Sequence, residues 1–200
     1  FLNFKNKVQI IRKKKVMASE IENIIEHFKT FFEGHDFELM TWNTGPIKDI
    51  IPEFQVIKFS PGMKCDQWVY CSVGASKIDH QITGRYEFFI VSPVNTERMV
   101  QMLAMVTYFH SQHGLEYTNT VPIGEPWLEG ALCDNWLVSL PYSFDQALDL
   151  IPTNHTHVAC LIPISSSECA YIAENGLEAL ERQFDEVKLK YWEINRGSVV

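Results

Sequence analysis

Apolar residues recur at helical spacing near the start of the chain. Ser19 and Glu22 have the S-x-x-E spacing of a capping box, and Gly34 follows as a stop signal. The apolar positions between these signals are Ile21, Ile24, Ile25, Phe28, Phe31 and Phe32. This pattern predicts an amphipathic helix with one buried face.

Three further helices are predicted by the same criteria. One covers about residues 96–113, with Asn95 as its N-cap and Gly114 as its C-terminal stop. A short one begins at a capping box formed by Ser165 and Glu168 and ends near Gly176. The last is amphipathic, and its apolar positions are Leu177, Leu180, Phe184, Val187 and Tyr191.

Short apolar segments separated by turn residues predict strands. They cover residues 37–42, 54–59, 67–74, 86–91, 131–141 and 157–164, and the last of these is nearly all apolar, which indicates a central position. Residues 117–130 contain two prolines and two glycines and are predicted to form a long ordered loop. Strands and helices do not alternate strictly, so we predict an α+β fold with a mixed, largely antiparallel sheet and helices packed against it.

Composition supports one globular domain. The 200 residues are 46% hydrophobic and 21% charged, which excludes a disordered or fibrous chain. We interpret residues 17–200 as the domain, with Met17 as a natural start, and residues 1–16 as a basic N-terminal extension, non-native or disordered. No secretory signal is recognisable and the five cysteines form no C-x-x-C pair, so we expect a cytoplasmic protein.

The charge is unevenly distributed. Residues 1–16 carry six bases and no acid, whereas residues 114–187 carry twelve acids against Arg182 alone. An acidic body repels phosphate backbones, so we expect no nucleic-acid partner, and no apolar run is long enough for a membrane span. The acidic surface would attract a basic protein. It could equally serve only solubility in a structural domain that has no specific partner.

Candidate chemistry is sparse. His155 and His157 are two residues apart, and side chains at that spacing share one face of a strand, so they could bind a metal in a hydrolase. His80, Asp134 or Asp149 would have to supply the third ligand. His110 and His113 offer a second histidine pair, which is more typical of a polar helix end. The sequence has no G-x-S-x-G elbow and no phosphate-binding glycine loop, and we expect no cofactor.

The segment from Trp68 to Ser76 reads WVYCSVGAS and has the form W-x-Y-x-S-x-G-x-S. This strand resembles the matching strand of the Suppressor of fused family. Further similar segments follow in order: YEFFI at 86–90, LAMVTY at 103–108, Pro126-Trp127, the strand at 158–164 and the terminal NRGSVV at 195–200. The resemblance covers about residues 36–200. It is to the stand-alone bacterial form, because no counterpart of the extra C-terminal domain of the animal proteins is present.

The resemblance implies a non-enzymatic protein-binding module. Animal members hold an extended peptide that adds to a sheet edge, and bacterial members include immunity proteins that neutralise a toxin. The animal peptide site includes the tyrosine of the W-x-Y strand, which Tyr70 matches, and an acid that follows, for which Asp79 is the counterpart at a shorter spacing. Trp68 is expected to support the site from the core. The family's Gly-His pair after the helix is replaced here by TVPIG, so no role of that pair is transferred.

We therefore predict a cytoplasmic protein that binds a protein or peptide partner, such as a basic toxin domain, through Tyr70, Asp79 and Trp68. The alternative from a different class is a metal-dependent hydrolase using His155 and His157.

Overall fold

The computed structural model describes residues 20–78, 80, 83–153 and 155–200. Helix α1 covers residues 20–31. The other helices are α2 (Ile47–Ile50), α3 (Arg98–His113), α4 (Ser166–Asn175) and α5 (Leu177–Val187). The strands are β1 (Phe37–Thr41), β2 (Gln55–Phe59), β3 (Trp68–Val73), β4 (Tyr86–Ser92), β5 (Thr120–Pro122), β6 (Asn135–Ser139), β7 (Leu150–Ile151) and β8 (Thr156–Ile164).

These strands form one mixed sheet in the order β1-β2-β3-β4-β8-β6-β5, with β7 paired to β8. Strand β4 runs parallel to β8, and the other pairings are antiparallel. The α+β prediction of a mixed, largely antiparallel sheet in a single domain is confirmed. The predicted central position of β8 is confirmed as well, because β8 lies between β4 and β6.

Alternation along the central strands produces two buried faces. In β4, Phe88 and Ile90 belong to the core that α3 covers, whereas Phe89 and Val91 belong to the core that α1 covers. Both faces of β4 are therefore covered by helices, which explains why this strand is almost continuously apolar.

The short helix α4 begins as predicted. The Ser165 hydroxyl accepts a hydrogen bond from the Glu168 amide at 3.2 Å, and the Glu168 carboxylate accepts from the Ser165 amide at 2.8 Å. This reciprocal capping box satisfies two amides that the first turn leaves without helical partners. The capping box predicted at Ser19 falls outside the described residues, as does the basic segment 1–16.

Several local predictions are wrong. Helix α3 begins at Arg98 with Glu97 as its N-cap, so Asn95 is not the cap; the Asn95 side chain is engaged by Tyr70 instead. Val187 is 56% exposed because α5 ends there, at a left-handed Lys188. The predicted loop 117–130 contains the short strand β5, and the four-residue helix α2 was not predicted because one turn carries no readable periodicity.

Candidate functional site

Strand β1 forms one end of the sheet and leaves one side of its backbone without a strand partner in the described part of the chain. The Ser60 amide donates to the Asp36 carbonyl at 2.9 Å, in register with the β1–β2 ladder. Because inward and outward backbone groups alternate in an antiparallel pair, those of Phe37, Leu39 and Thr41 point away from the sheet. This edge is a template for one more strand.

Two large apolar side chains extend from this edge. Phe37 is 47% exposed and Leu39 is 43% exposed, and both lie on the α1 face of the sheet beside Phe59 and Ile57. The Lys29 ammonium lies 5.0 Å from the centre of the Phe37 ring. An added strand would cover these two side chains with its own side chains at alternate positions.

The opposite face of the same edge carries a charged and aromatic patch, which we call the edge patch: Glu38, Lys58 and Trp68. The Lys58 ammonium lies 2.8 Å from the Glu38 carboxylate and 5.5 Å from the centre of the Trp68 ring. Glu38 is exposed, whereas Lys58 and Trp68 are half-buried. The patch therefore presents one carboxylate and one indole to solvent, and Lys58 holds the two together.

Tyr70 lies beneath the edge patch rather than within it. It is opposite Lys58 in the register of β2 and β3, and its side chain is fully buried. Its hydroxyl donates to Asn95 Oδ1 at 3.0 Å and accepts from the Thr96 amide at 2.9 Å. Burial raises the pKa of Tyr70, with a further contribution from Glu38. Tyr70 thus ties β3 to the segment that precedes α3.

The structure places Tyr70 and Trp68 on the same face of β3. Trp68 is partly buried and packs against the core that contains Tyr70, with part of its side chain at the surface, whereas Tyr70 is fully buried. Asp79 lies outside the described residues. The binding roles of Tyr70, Asp79 and Trp68 remain predictions.

The polar residues of the W-x-Y-x-S-x-G-x-S motif hold a buried carboxylate. Glu87, fully buried in β4, accepts from the hydroxyls of Ser72 and Ser76 at 2.5 and 2.8 Å. It also accepts from the amides of Gly74, Ala75 and Ser76 at 2.9 to 3.2 Å. Burial raises the pKa of Glu87, and these hydrogen bonds act in the opposite direction. The motif is therefore a structural carboxylate nest.

Gly74 makes this nest possible. Its φ of +107° lies in a region that side-chain-bearing residues rarely adopt, and it allows three successive amides to converge on one carboxylate.

The terminal NRGSVV segment is likewise structural. Arg196 is 7% exposed and binds both oxygens of Glu168, at 2.8 and 2.9 Å. It also donates to the Pro163 carbonyl at 2.5 Å. Burial alone would raise the pKa of Glu168, but the bonds from Arg196, Ser165 and Val199 outweigh it and the pKa is lowered. The chain end is thereby fixed to β8 and α4.

Histidine and tyrosine rings pack against one another between α3 and the start of β4: His80, Tyr86, His110 and Tyr117. His110 is fully buried, and its Nδ1 accepts from the Leu115 amide at 2.8 Å. Burial lowers the pKa of His110 to about 4, with a further contribution from His80. Because Nδ1 is an acceptor, the proton of the neutral ring is on Nε2, which is not available to ligate a metal. His110 is a neutral core residue.

The hydrolase alternative gains no support from the geometry. His155 precedes β8 in a turn with φ of +53°, so it does not share a strand face with His157. Across the ranges that the structure describes, no three His, Cys, Asp or Glu side chains are placed to hold one metal ion. In the same ranges no helix is long and apolar enough to cross a membrane.

The described cysteines are free thiols. Cys160 is buried in β8, as expected of a small core residue, and burial raises its pKa to about 12. Burial also raises the pKa of Cys65, which disfavours the reactive thiolate form.

Sequence reasoning missed the exposed apolar pair of Phe37 and Leu39. The alternation of FELMT is readable in the sequence, but it does not reveal that α1 leaves one side of these residues uncovered.

Known proteins with similar sequences and folds belong to one family. The family model described as Suppressor of fused protein (SUFU) matches residues 52–197. A Suppressor of fused homologue from Neisseria gonorrhoeae has a similar crystal structure, with a TM-score of 0.82 and 32% identity over 92% of this chain and 98% of that one. No curated protein matched the chain.

Two more distant structures share the fold. The structure of a Sufu-Fu complex matches with a TM-score of 0.60 and 16% identity over 90% of this chain and 92% of that one. Drosophila Suppressor of Fused matches with a TM-score of 0.55 and 14% identity over 90% of this chain and 51% of that one. The family-model match over residues 52–197 and the 32% identity to the Neisseria gonorrhoeae homologue establish that the chain belongs to the Suppressor of fused family.

Proposed function

We propose that this chain is a non-catalytic protein-binding module that holds an extended segment of a partner polypeptide against the free edge of β1. The observation that carries the proposal is the combination of outward backbone groups and exposed apolar side chains at Phe37 and Leu39. An added strand satisfies the backbone groups and covers both side chains, which are the two sources of affinity in this mode of recognition.

The edge patch would supply selectivity. A partner that crosses from the β1 edge towards Trp68 meets a half-buried indole and the Glu38 carboxylate, which is 61% exposed. Aromatic side chains give rigid contact area at low entropic cost, and a carboxylate favours a basic residue on the partner. Tyr70 acts here as a positioning residue beneath the patch, and Asp79 is a predicted contact.

We propose further that the module is an immunity or inhibitor protein that acts in the cytoplasm and neutralises a basic toxin domain. The similarity to a bacterial homologue along 98% of that chain supports the choice of a role known from bacterial members. The complex named Sufu-Fu supports protein binding as the general activity of the fold. The acidic segment 114–187 supports a basic partner.

The experiment uses the product of the neighbouring gene as the partner, co-expressed with this chain. Leu39→Pro removes one outward N–H together with the leucine side chain, whereas Leu39→Ala removes the side chain alone. Leu132→Ala is the matched control, because Leu132 is exposed in a loop away from the edge. We expect complex formation to weaken from wild type to L39A and further to L39P. The toxicity of the co-expressed partner to the host cells should increase in the same order.

Equal binding by L39P and wild type, with both proteins folded, would contradict the proposed edge. Turnover of a small molecule by the purified protein would contradict the non-catalytic role. Trp68→Ala tests the edge patch separately, and unchanged affinity in that variant would remove Trp68 from the proposed site.

A further inference from the structure

A second concave surface lies far from β1 in the sheet order, between α5 and the strands β6 and β8. It has a volume of about 430 Å³, and Leu137, Ile162 and Phe184 form its apolar floor. A smaller cavity of about 320 Å³ adjoins it, and both share Tyr142 and Glu181 in their walls. We call this surface the α5 groove. It is open to solvent beside Tyr142, whose side chain is 66% exposed.

Three acids line the α5 groove along one helix. Glu178, Glu181 and Asp185 are spaced by three and four residues, so they lie on one face of α5. Lys188 also lines the groove, but among the described residues none of the three acids forms an ion pair. The Oε1 atom of Glu181 is buried and forms no hydrogen bond of normal length in that part of the chain, and the Tyr142 hydroxyl is the neighbour that interacts with this carboxylate.

This arrangement is electrostatically unfavourable in the isolated chain. Burial raises the pKa of Glu181, the carboxylates of Asp185 and Glu178 raise it further, and the Tyr142 hydroxyl acts in the opposite direction with a smaller effect. Like charges one turn apart also destabilise a helix. A cation placed beside Glu181 would relieve this repulsion and would give its buried oxygen a partner.

We propose that the α5 groove receives a lysine or arginine side chain, flanked by apolar residues, from a basic polypeptide partner. The apolar floor suits the hydrocarbon stem and the flanking side chains, and the carboxylates suit the charged head. The net negative charge of residues 114–187 favours the approach of a basic partner. The groove does not depend on β1, so it constitutes a second and independent point of contact.

The test uses a fluorescein-labelled six-residue peptide of alternating leucine and arginine, and a second peptide with glutamine in place of arginine. The groove variant is E178Q/E181Q/D185N. The matched control, E129Q/E174Q/E186Q, removes the same number of charges from exposed positions that do not line the groove. We expect the arginine peptide to bind wild type and control alike, and to bind the groove variant at least about tenfold more weakly.

Equal weakening in the groove variant and the control would overturn the proposal, because that result signifies attraction to net charge alone. Equal binding of the arginine and glutamine peptides would also overturn it. Free spermine that displaces the arginine peptide at equal concentration would identify a site for small amines and exclude a polypeptide site.

Three further measurements test the location of the site. The arginine peptide should shift the amide resonances of Leu137, Tyr142 and Phe184, and shifts confined to Phe37 and Leu39 would overturn the proposal. Glu181→Gln should stabilise the free protein while weakening peptide binding. If Glu181 had only a structural role, the variant would be less stable than wild type. L39P should leave peptide binding unchanged. A wrong assignment of the α5 groove can therefore be distinguished from a wrong assignment of the β1 edge.

Discussion

The Ser72 hydroxyl lies 2.5 Å from the Glu87 carboxylate, in a part of the sheet that water does not reach. Ser72 is in β3 and Glu87 is in β4, and three amides that follow β3 bind the same carboxylate. This contact explains why a strand motif with serine and glycine at fixed positions is followed by a strand that carries a glutamate in an apolar run. The carboxylate holds the turn after β3 in place.

We expect Glu87→Ala to destabilise the fold by at least about 3 kcal/mol, because it leaves several buried donors without an acceptor. Glu87→Gln should have a smaller but still large effect, since its amide group brings two donors to a site that needs acceptors. Urea unfolding measures both variants. Glu174→Gln, at an exposed position on α4, is the control and should change stability by less than about 0.5 kcal/mol. A near-neutral result for E87A would show that the nest is not structural.

The pair formed by Glu168 and Arg196 should make stability depend on pH. The pKa of Glu168 is lower in the folded protein than its ordinary value, so its contribution is complete above about pH 5 and is lost as the pH falls through the folded pKa. Urea unfolding at a series of pH values should show a difference between wild type and Glu168→Gln that shrinks in acid. A difference that stays constant down to about pH 2.5 would contradict this assignment.

His110 should produce a second pH dependence with a different window. Its folded pKa of about 4 lies below the ordinary value of 6.5, so the unfolded chain takes up a proton first. Stability should therefore fall as the pH decreases from about 6.5 to about 4, and then level off with respect to this group. His110→Asn keeps an acceptor for the Leu115 amide and removes the titration. Parallel pH profiles for wild type and H110N would refute the prediction.

Tyr70→Phe should loosen the segment that precedes α3. The variant removes the donor to Asn95 and the acceptor for the Thr96 amide, at a cost of about 1–3 kcal/mol. We expect faster hydrogen exchange at Thr96, and weaker partner binding if Tyr70 positions the edge patch. Tyr171→Phe is the control, because Tyr171 lies on α4, outside the hydrogen bonds that join Tyr70 to Asn95 and Thr96. Unchanged exchange at Thr96 in Y70F would exclude the positioning role.

Much of the fold could be predicted from local patterns. The capping box of Ser165 and Glu168 is specified by residues three positions apart, and the buried faces of the helices follow from near-neighbour spacing. Family membership was also readable, because the W-x-Y-x-S-x-G-x-S strand and the segments after it occur in order. Even here tertiary contacts overrode a local signal: Asn95 could have capped α3, but the Tyr70 hydroxyl engages its side chain.

The sequence by itself determined most of the longer helices and strands, their amphipathic faces, the family and the uneven charge, since each depends on residues close together or on composition. Only the tertiary structure decided that β1 is a free edge, that Tyr70 is buried while Trp68 reaches solvent, and that Glu178, Glu181 and Asp185 line a groove against β6 and β8. The physical reason is that strand order and burial arise from pairings between distant segments. No periodicity within one segment reports which other segment will cover it.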